Sequence, residues 1–337
     1  MTGVLAAERR DSATRPVALR TAYRDGLIEL MQHDQRVVCL DSDTGLFAGQ
    51  DFGTATDRYL NLGIAEQNLI GTAAGLAATG YRPFVNTMAT FASSRAVEFV
   101  KLDLAYNALG VCIAATHAGL SAGHLGPTHH GLEDLAVMRV LPNLTVLVPG
   151  DAGQVRALLP QLLELDGPVY LRLDRKPAAS LPGWVARPQL GRIQTLVPGE
   201  RVVLVACGPQ PIVAALKAER LLADAGVSAA VLQVHTLAPF DIASLLDAVG
   251  PAELVVSVEE HWQIGGLGSA IAEALAEQLP RPLIRIGVPR TFVSVVGDQE
   301  QLLQHYGITA EGISDQVLSR LDVTPLTPNR SCPQCNR

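Results

Sequence analysis

The stretch 61–75, N-L-G-I-A-E-Q-N-L-I-G-T-A-A-G, sets one carboxylate, Glu66, at the start of a segment that is otherwise apolar and small. Leu69, Ala73 and Leu76 fall on one face at helical spacing, with Gly71 and Gly75 beside them. Such a helix packs closely against its neighbours, which places Glu66 in a crowded, partly dry position. A carboxyl group kept from water holds or shares a proton near neutral pH. Acidic residues are also favoured in any first helical turn, where they offset the helix dipole, so position alone does not decide. A second stretch adds weight. Residues 117–130 read H-A-G-L-S-A-G-H-L-G-P-T-H-H, with His117, His124, His129 and His130 among glycines. Histidine donates, accepts and carries charge near neutral pH, and glycine lets backbone approach a ligand closely. The loop suits an organic active site in which histidines bind substrate oxygens and move protons. A metal site is the weaker reading. His129 and His130 are adjacent and point apart, and no Cys, Asp or Glu stands at a ligand-like spacing.

The elements that must position these groups alternate in period. Helical stripes run through Tyr23, Leu27, Leu30 and Met31, from about Phe91 to Asn107, and from Leu132 to Val140. Strand patterns cover 36–40, 82–86, 111–116, 144–148 and 169–173. Strands alternating with helices predict a mostly parallel sheet. Residues 176–200, broken by Pro177, Pro182, Pro188 and Pro198, read as a linker. A second unit follows, with strands at 201–206, 228–234, 254–258 and 283–286 and helices near 210–225, 240–249, 268–279 and 309–321. The predicted fold is two doubly wound α/β domains, 16–175 and 201–322, between an N-terminal extension (1–15) and a flexible tail (323–337). In open α/β sheets ligands bind beyond the carboxyl ends of the strands. The loops carrying Asp41, Asp43 and the histidines lie at such ends.

Composition narrows the class. The net charge of −7 comes without a long basic run, which argues against nucleic acid. No apolar run reaches the roughly 18 residues of a membrane span, and the N-terminal residues lack an apolar signal core. Cys39, Cys112 and Cys207 sit in apolar strand patterns as small buried hydrophobes. The absence of a paired-cysteine framework fits a reducing cytoplasm. The single C-x-x-C at Cys332 and Cys335 lacks the second pair a structural zinc site needs.

Several ordered motifs resemble a transketolase, and more narrowly the C-terminal subunit of a split, two-component transketolase. They are L-G-I-A-E-Q-N at 62–68, T-H-A-G-L-S at 116–121, G-P-T-H at 126–129, L-E-D-L-A-V-M-R-V-L-P-N-L-T-V at 132–146, V-E-E-H at 258–261 and G-G-L-G-S at 265–269. The resemblance spans about residues 16–320. It implies a pyrimidine-binding domain followed by a transketolase C-terminal domain, and thiamine diphosphate as cofactor. Glu66 matches the family glutamate that hydrogen-bonds N1′ of the aminopyrimidine ring. Phe91 matches an aromatic packed beside that ring, and Asp43 an aspartate near the cofactor. His129 matches a histidine at the reacting part of the ketose donor. His117, Arg175 and Arg20 match groups at the substrate phosphate, a task that suits the planar donors of arginine. His124 and His130 join them as substrate-binding candidates from the same loop.

The chain also departs from the family. Gly123-His124-Leu125-Gly126 replaces the usual G-E-D-G, Ser94 stands where a second aromatic is common, and no phosphate-pocket serine occurs near Leu46. These changes point away from an ordinary pentose phosphate and toward a specialised biosynthetic substrate. Diphosphate binding in the family needs G-D-G and a downstream Asn around Mg²⁺. Gly150-Asp151 and Gly297-Asp298 both lack the second glycine. The expectation is therefore an enzyme subunit active only with an N-terminal transketolase-like subunit that carries the GDG motif and holds the magnesium, in an α2β2 heterotetramer. It would move a two-carbon ketol unit from a sugar. The alternative is an E1 β-like subunit that delivers an acyl unit to a lipoyl or carrier-protein arm. A scaffold relic of the fold is the non-enzymatic reading, against which the intact Glu66 and His129 argue. His235 and His261 are expected to be structural, and the Gly265–Gly268 run to let backbones pack closely.

Overall fold

In a computed structural model, the structure describes residues 16–181 and 188–323. The N-terminal extension and the C-x-x-C of the tail lie outside the described residues. The first unit runs β1 (Val17–Ala18), α1 (Leu19–His33), β2 (Val37–Asp41), β3 (Tyr59–Asn61), α2 (Glu66–Ala78), β4 (Arg82–Met88), α3 (Ala89–Ser94), α4 (Val97–Phe99), β5 (Cys112–Thr116), α5 (Asp134–Arg139), β6 (Thr145–Leu147), α6 (Ala152–Leu162), β7 (Val169–Arg172) and β8 (Pro177–Ala178). The second runs β9 (Gln194–Val197), β10 (Val202–Cys207), α7 (Pro209–Asp224), β11 (Ala229–Gln233), β12 (Thr236–Ala238), α8 (Ile242–Val249), β13 (Leu254–Trp262), α9 (Leu267–Gln278), β14 (Leu283–Val288), α10 (Gln299–His305) and α11 (Ala310–Arg320).

Two sheets carry the fold. One has the order β12-β6-β7-β5-β4-β2-β3 and the other β14-β13-β10-β11-β9. All pairs from β6 to β3 are parallel, as are β14-β13-β10-β11. The central strands are apolar on both faces because helices cover both. β2, β5, β10 and β11 are buried at every residue. Cys39, Cys112 and Cys207 lie within them, and burial pushes each thiol above its ordinary range, so they act as small apolar side chains.

The predicted boundary between the units is not a clean one. The segment read as a linker supplies β8, which pairs with β1, and β9, an antiparallel edge strand of the second sheet. β12, from the second unit, adds antiparallel to β6 at the edge of the first sheet. Short edge strands carry little hydrophobic periodicity, so a pattern reading passes over them. The long helix expected over 91–107 is also broken. Ser93 Oγ donates to Ala89 O at 2.9 Å, and the Ser94 hydroxyl turns back to Thr90 O. Such bonds compete with the helical ladder. The chain bends at Arg95 and Ala96, then continues through α4 and a π-helical turn at Val100–Ala105.

A buried ion pair within the first unit reaches across to the second. Arg172, at the end of β7, donates through Nε to Asp134 Oδ2 at 2.7 Å and through Nη2 to Asp134 Oδ1 at 3.0 Å. The same Nη2 reaches Gly131 O in the histidine loop and Glu260 O on β13. Tyr170 Oη completes the set on Asp134 at 2.8 Å. Removing one partner strands a charge away from water, which costs about 3–5 kcal/mol. Asp134→Ala should therefore lower the unfolding free energy by about that amount in urea titration.

Candidate active site

The carboxyl ends of β2, β4 and β5 open onto one cleft of about 290 Å3. Ser42, Asp43 and Thr44 follow β2. Ile64 and Glu66 lead into α2. Met88 ends β4, Phe91 and Arg95 follow it, and Thr128 and His129 belong to the loop after β5. Glu66 opens α2 and is only 4% exposed. The helix start favours an anion there, and Leu69, Ile70 and Ala73 anchor the helix in the core behind it. Phe91 meets His129 edge to face, with ring centroids 5.4 Å apart. Asp43 lies at the rim, with backbone φ of +61°, and accepts from Asn61 Nδ2 at 3.0 Å.

Glu66 is not the solitary acid that the sequence suggests. Arg95 Nη1 lies 3.3 Å from each of its carboxylate oxygens, and the Arg95 guanidinium carbon sits 4.0 Å from the Phe91 ring centroid. Arg95 is not among the residues that the sequence singles out. The available signal is its place four residues after Phe91, one helical turn on.

The other candidate residues gather in a second group. Arg175 Nη1 is 3.2 and 3.3 Å from the two ring nitrogens of His124. Burial, and then the nearby charges of Arg175 and Arg24, push Arg20 below the ordinary arginine range, against an opposing pull from Asp174. His117 is buried in a left-handed backbone conformation, φ +57°, and pairs through Nδ1 with Thr116 Oγ1 at 3.0 Å. Burial first, then Arg20, Arg175, His124 and His129, push its pKa down to about 4. The ring is therefore neutral at pH 7, among guanidinium groups that want an anion.

His130 belongs to neither group. It is buried and lines a separate cavity of about 120 Å3 with Glu133, Trp262 and Phe292. Of the two adjacent histidines, His129 lines the cleft and His130 does not.

Beneath the cationic group lies an acid pair that the sequence does not disclose. Gln299 Nε2 bridges Asp174 Oδ2 at 2.9 Å and both Glu260 oxygens at 3.0 Å. Glu260 also accepts from Leu120 N at 2.5 Å. Burial raises both acids above their ordinary range, and for Glu260 the facing Asp174 carboxyl adds to it. Gly119, at φ +61°, lets the loop pass over Glu260, where an added Cβ would come within 2.6 Å of its carboxyl oxygen. Glu259 instead caps α9, accepting from Leu267 N and Gly268 N at 2.7 and 2.8 Å. His261 Nε2 accepts from Ala136 N and His235 Nε2 pairs with Gln189 O, which gives both the structural roles expected of them.

The two Gly-Asp pairs are explained in the same way. Asp151 caps α6 through Gln154 N, and Asp298 caps α10 in a capping box with Gln301. Among the described residues, no cluster of three or more His, Cys, Asp or Glu could hold a metal ion, and no helix is long and apolar enough to cross a membrane.

Compared with known proteins, the chain matches the transketolase pyrimidine binding domain over residues 15–179 and the transketolase C-terminal domain over residues 191–313. It is 42% identical to the 6-deoxy-6-sulfo-D-fructose transketolase subunit SqwH of Clostridium sp. (strain MSTE9), over 88% of this chain and 92% of that protein. It is 35% identical to a subunit of the apulose-4-phosphate transketolase of Phocaeicola vulgatus, over 91% and 98% of the two chains. Among solved structures it resembles a split gene transketolase in the form of an inactive β4 tetramer, with TM-score 0.82 and 41% identity over 91% of this chain and 99% of that one.

Neutral His117 carries a pH signature. Its native pKa lies below the ordinary 6.5, so between about 4 and 6.5 the unfolded chain binds a proton that the native chain does not. Stability from this group is intact above 6.5 and is lost as pH falls through the window. Between pH 7.5 and pH 4.5, the wild type should lose about 2 kcal/mol more than His117→Asn, read by denaturant titration at each pH.

Proposed function

The chain belongs to the transketolase family, as a C-terminal subunit of the split kind, and on that premise we propose that it moves a two-carbon ketol unit from a ketose to an acceptor. The reaction depends on thiamine diphosphate and proceeds only beside an N-terminal subunit. The observation that supports this reading is that Glu66 and Phe91 line one cleft, with His129 at the edge of the Phe91 ring.

These residues fit one half of the cofactor. A flat, nitrogen-bearing ring needs an acidic partner at its edge and apolar or aromatic surface at its face. Glu66 supplies the first, and Phe91, Met88 and Ile64 supply the second. The diphosphate and its Mg²⁺ fall to the partner, because both Gly-Asp pairs of this chain are occupied as helix caps. When bound, thiamine diphosphate supplies the nucleophilic carbon and the electron sink. Glu66 holds a proton at the ring nitrogen N1′, where its low exposure keeps water from competing. His129 binds the donor carbonyl oxygen and exchanges a proton there. Asp43 and Thr128 close the rim.

Arg20, Arg175, His117 and His124 form the second contact with the sugar. Neither guanidinium group has an ion-pair partner among the described residues, which favours a donor with an acidic terminus. The names of the relatives carry a sulfo group or a phosphate on the sugar, in keeping with such a terminus. Those names also favour ketol transfer over the E1 β-like alternative. The assembly that completes the site is an α2β2 heterotetramer, working in the cytoplasm.

The test is reconstitution with an N-terminal subunit that bears the GDG motif. The pair should convert ketose and aldose in a thiamine-dependent manner, and this chain alone should not. Glu66→Gln should fold normally and lower turnover of the pair by about 10²–10⁴-fold. Full turnover by the isolated chain would contradict the proposal.

A further inference from the structure

The group that now occupies the face of Phe91 and the carboxylate of Glu66 is a side chain of the same protein. The Arg95 guanidinium is flat. It lies over the Phe91 ring at 4.0 Å and directs one nitrogen to both oxygens of Glu66. A flat group against an aromatic face, with a nitrogen at the oxygens of an acid, is the placement that an aminopyrimidine would need here. The geometry points to Arg95 as an internal stand-in for the cofactor ring: it fills the ring site of the unassembled subunit and must leave before the ring can enter. This inference rests on the thiamine reading above and extends it to a residue that reading does not use.

Three observations make the stand-in displaceable rather than permanent. Both Arg95–Glu66 contacts are 3.3 Å, longer than the 2.7–2.9 Å of a strong charge-assisted bond. They come from a single nitrogen, so the two-nitrogen fork that makes arginine–carboxylate pairs strong is not used. The Arg95 side chain is 49% exposed while that of Glu66 is 5% exposed, so Arg95 can swing into water at little cost and the acid cannot. While in place, Arg95 also compensates a carboxylate that would otherwise be buried unpaired. Arg95 is thus a positioning residue. It keeps the acid aligned and the site closed to stray ligands until the ring replaces it.

The experiment titrates thiamine diphosphate into the full chain by calorimetry, alone and with its N-terminal partner, for wild type, Arg95→Ala and Arg95→Gln. Arg95→Ala should bind about tenfold more tightly than wild type, because no stacked cation has to be displaced. Arg95→Gln, which keeps a donor for Glu66 and loses the cation, should fall between them. A second readout needs no turnover. In chain labelled with ¹⁵N-arginine, the Arg95 guanidinium signal should move to a solvent-exposed position on saturation. Equal or weaker binding by Arg95→Ala, or an unmoved Arg95 signal at saturation, would overturn the stand-in and leave the cofactor reading intact. Absence of binding to every protein, with and without partner, would overturn the cofactor reading and this inference with it.

Discussion

A carboxylate kept from water at the start of a helix has to be balanced by something, and the cleft is organised around that requirement. Glu66 gains the amide end of α2 on one side and Arg95 on the other. The helix is fixed because Leu69, Ile70 and Ala73 are locked into the core. The aromatic face beside it is fixed because Phe91 follows β4, whose register against β2 and β5 is set by fully buried strands. Parallel strands whose carboxyl ends line up bring Asp43, Phe91 and His129 to one mouth although they are far apart in the chain.

The second unit contributes position rather than chemistry. β12 extends the first sheet, Arg172 is tied to Glu260 through its carbonyl, and Gln299 spans Asp174 and Glu260. These bonds run between the body of the second unit and the residues flanking Arg175 and the histidine loop. The cationic group therefore rests on a floor built from both units, and its acids are held in hydrogen bonds rather than offered as counter-ions. That leaves the guanidinium groups of Arg20 and Arg175 open to an anion from outside.

Most of this architecture is legible in the chain, and the failures have physical causes. Long buried strands such as 112–116 and amphipathic helices such as 209–224 announce themselves by period. β9 and β12 do not, because three or four residues at a sheet edge hold too little pattern. Within the site, Glu66, Phe91 and His129 are recognisable from local motif, and the structure gathers them at one cleft. Arg95 is not, since its partner lies 29 residues away and only the fold joins them. The Asp174–Gln299–Glu260 set spans up to 125 residues for the same reason. His130 shows the reverse case, read from a motif but placed apart from the cleft. A dense histidine motif invites a shared role, but alternate side chains of a loop face different cavities.

The central claim is that this chain holds one half of a cofactor whose other half is held by a second polypeptide. A crystal structure of the two-chain complex with thiamine diphosphate tests it most directly. The account predicts N1′ of the pyrimidine within about 3 Å of a Glu66 oxygen, the ring against Phe91, and every diphosphate and metal contact on the partner. A ring bound away from Glu66, or a diphosphate held by this chain, would contradict it.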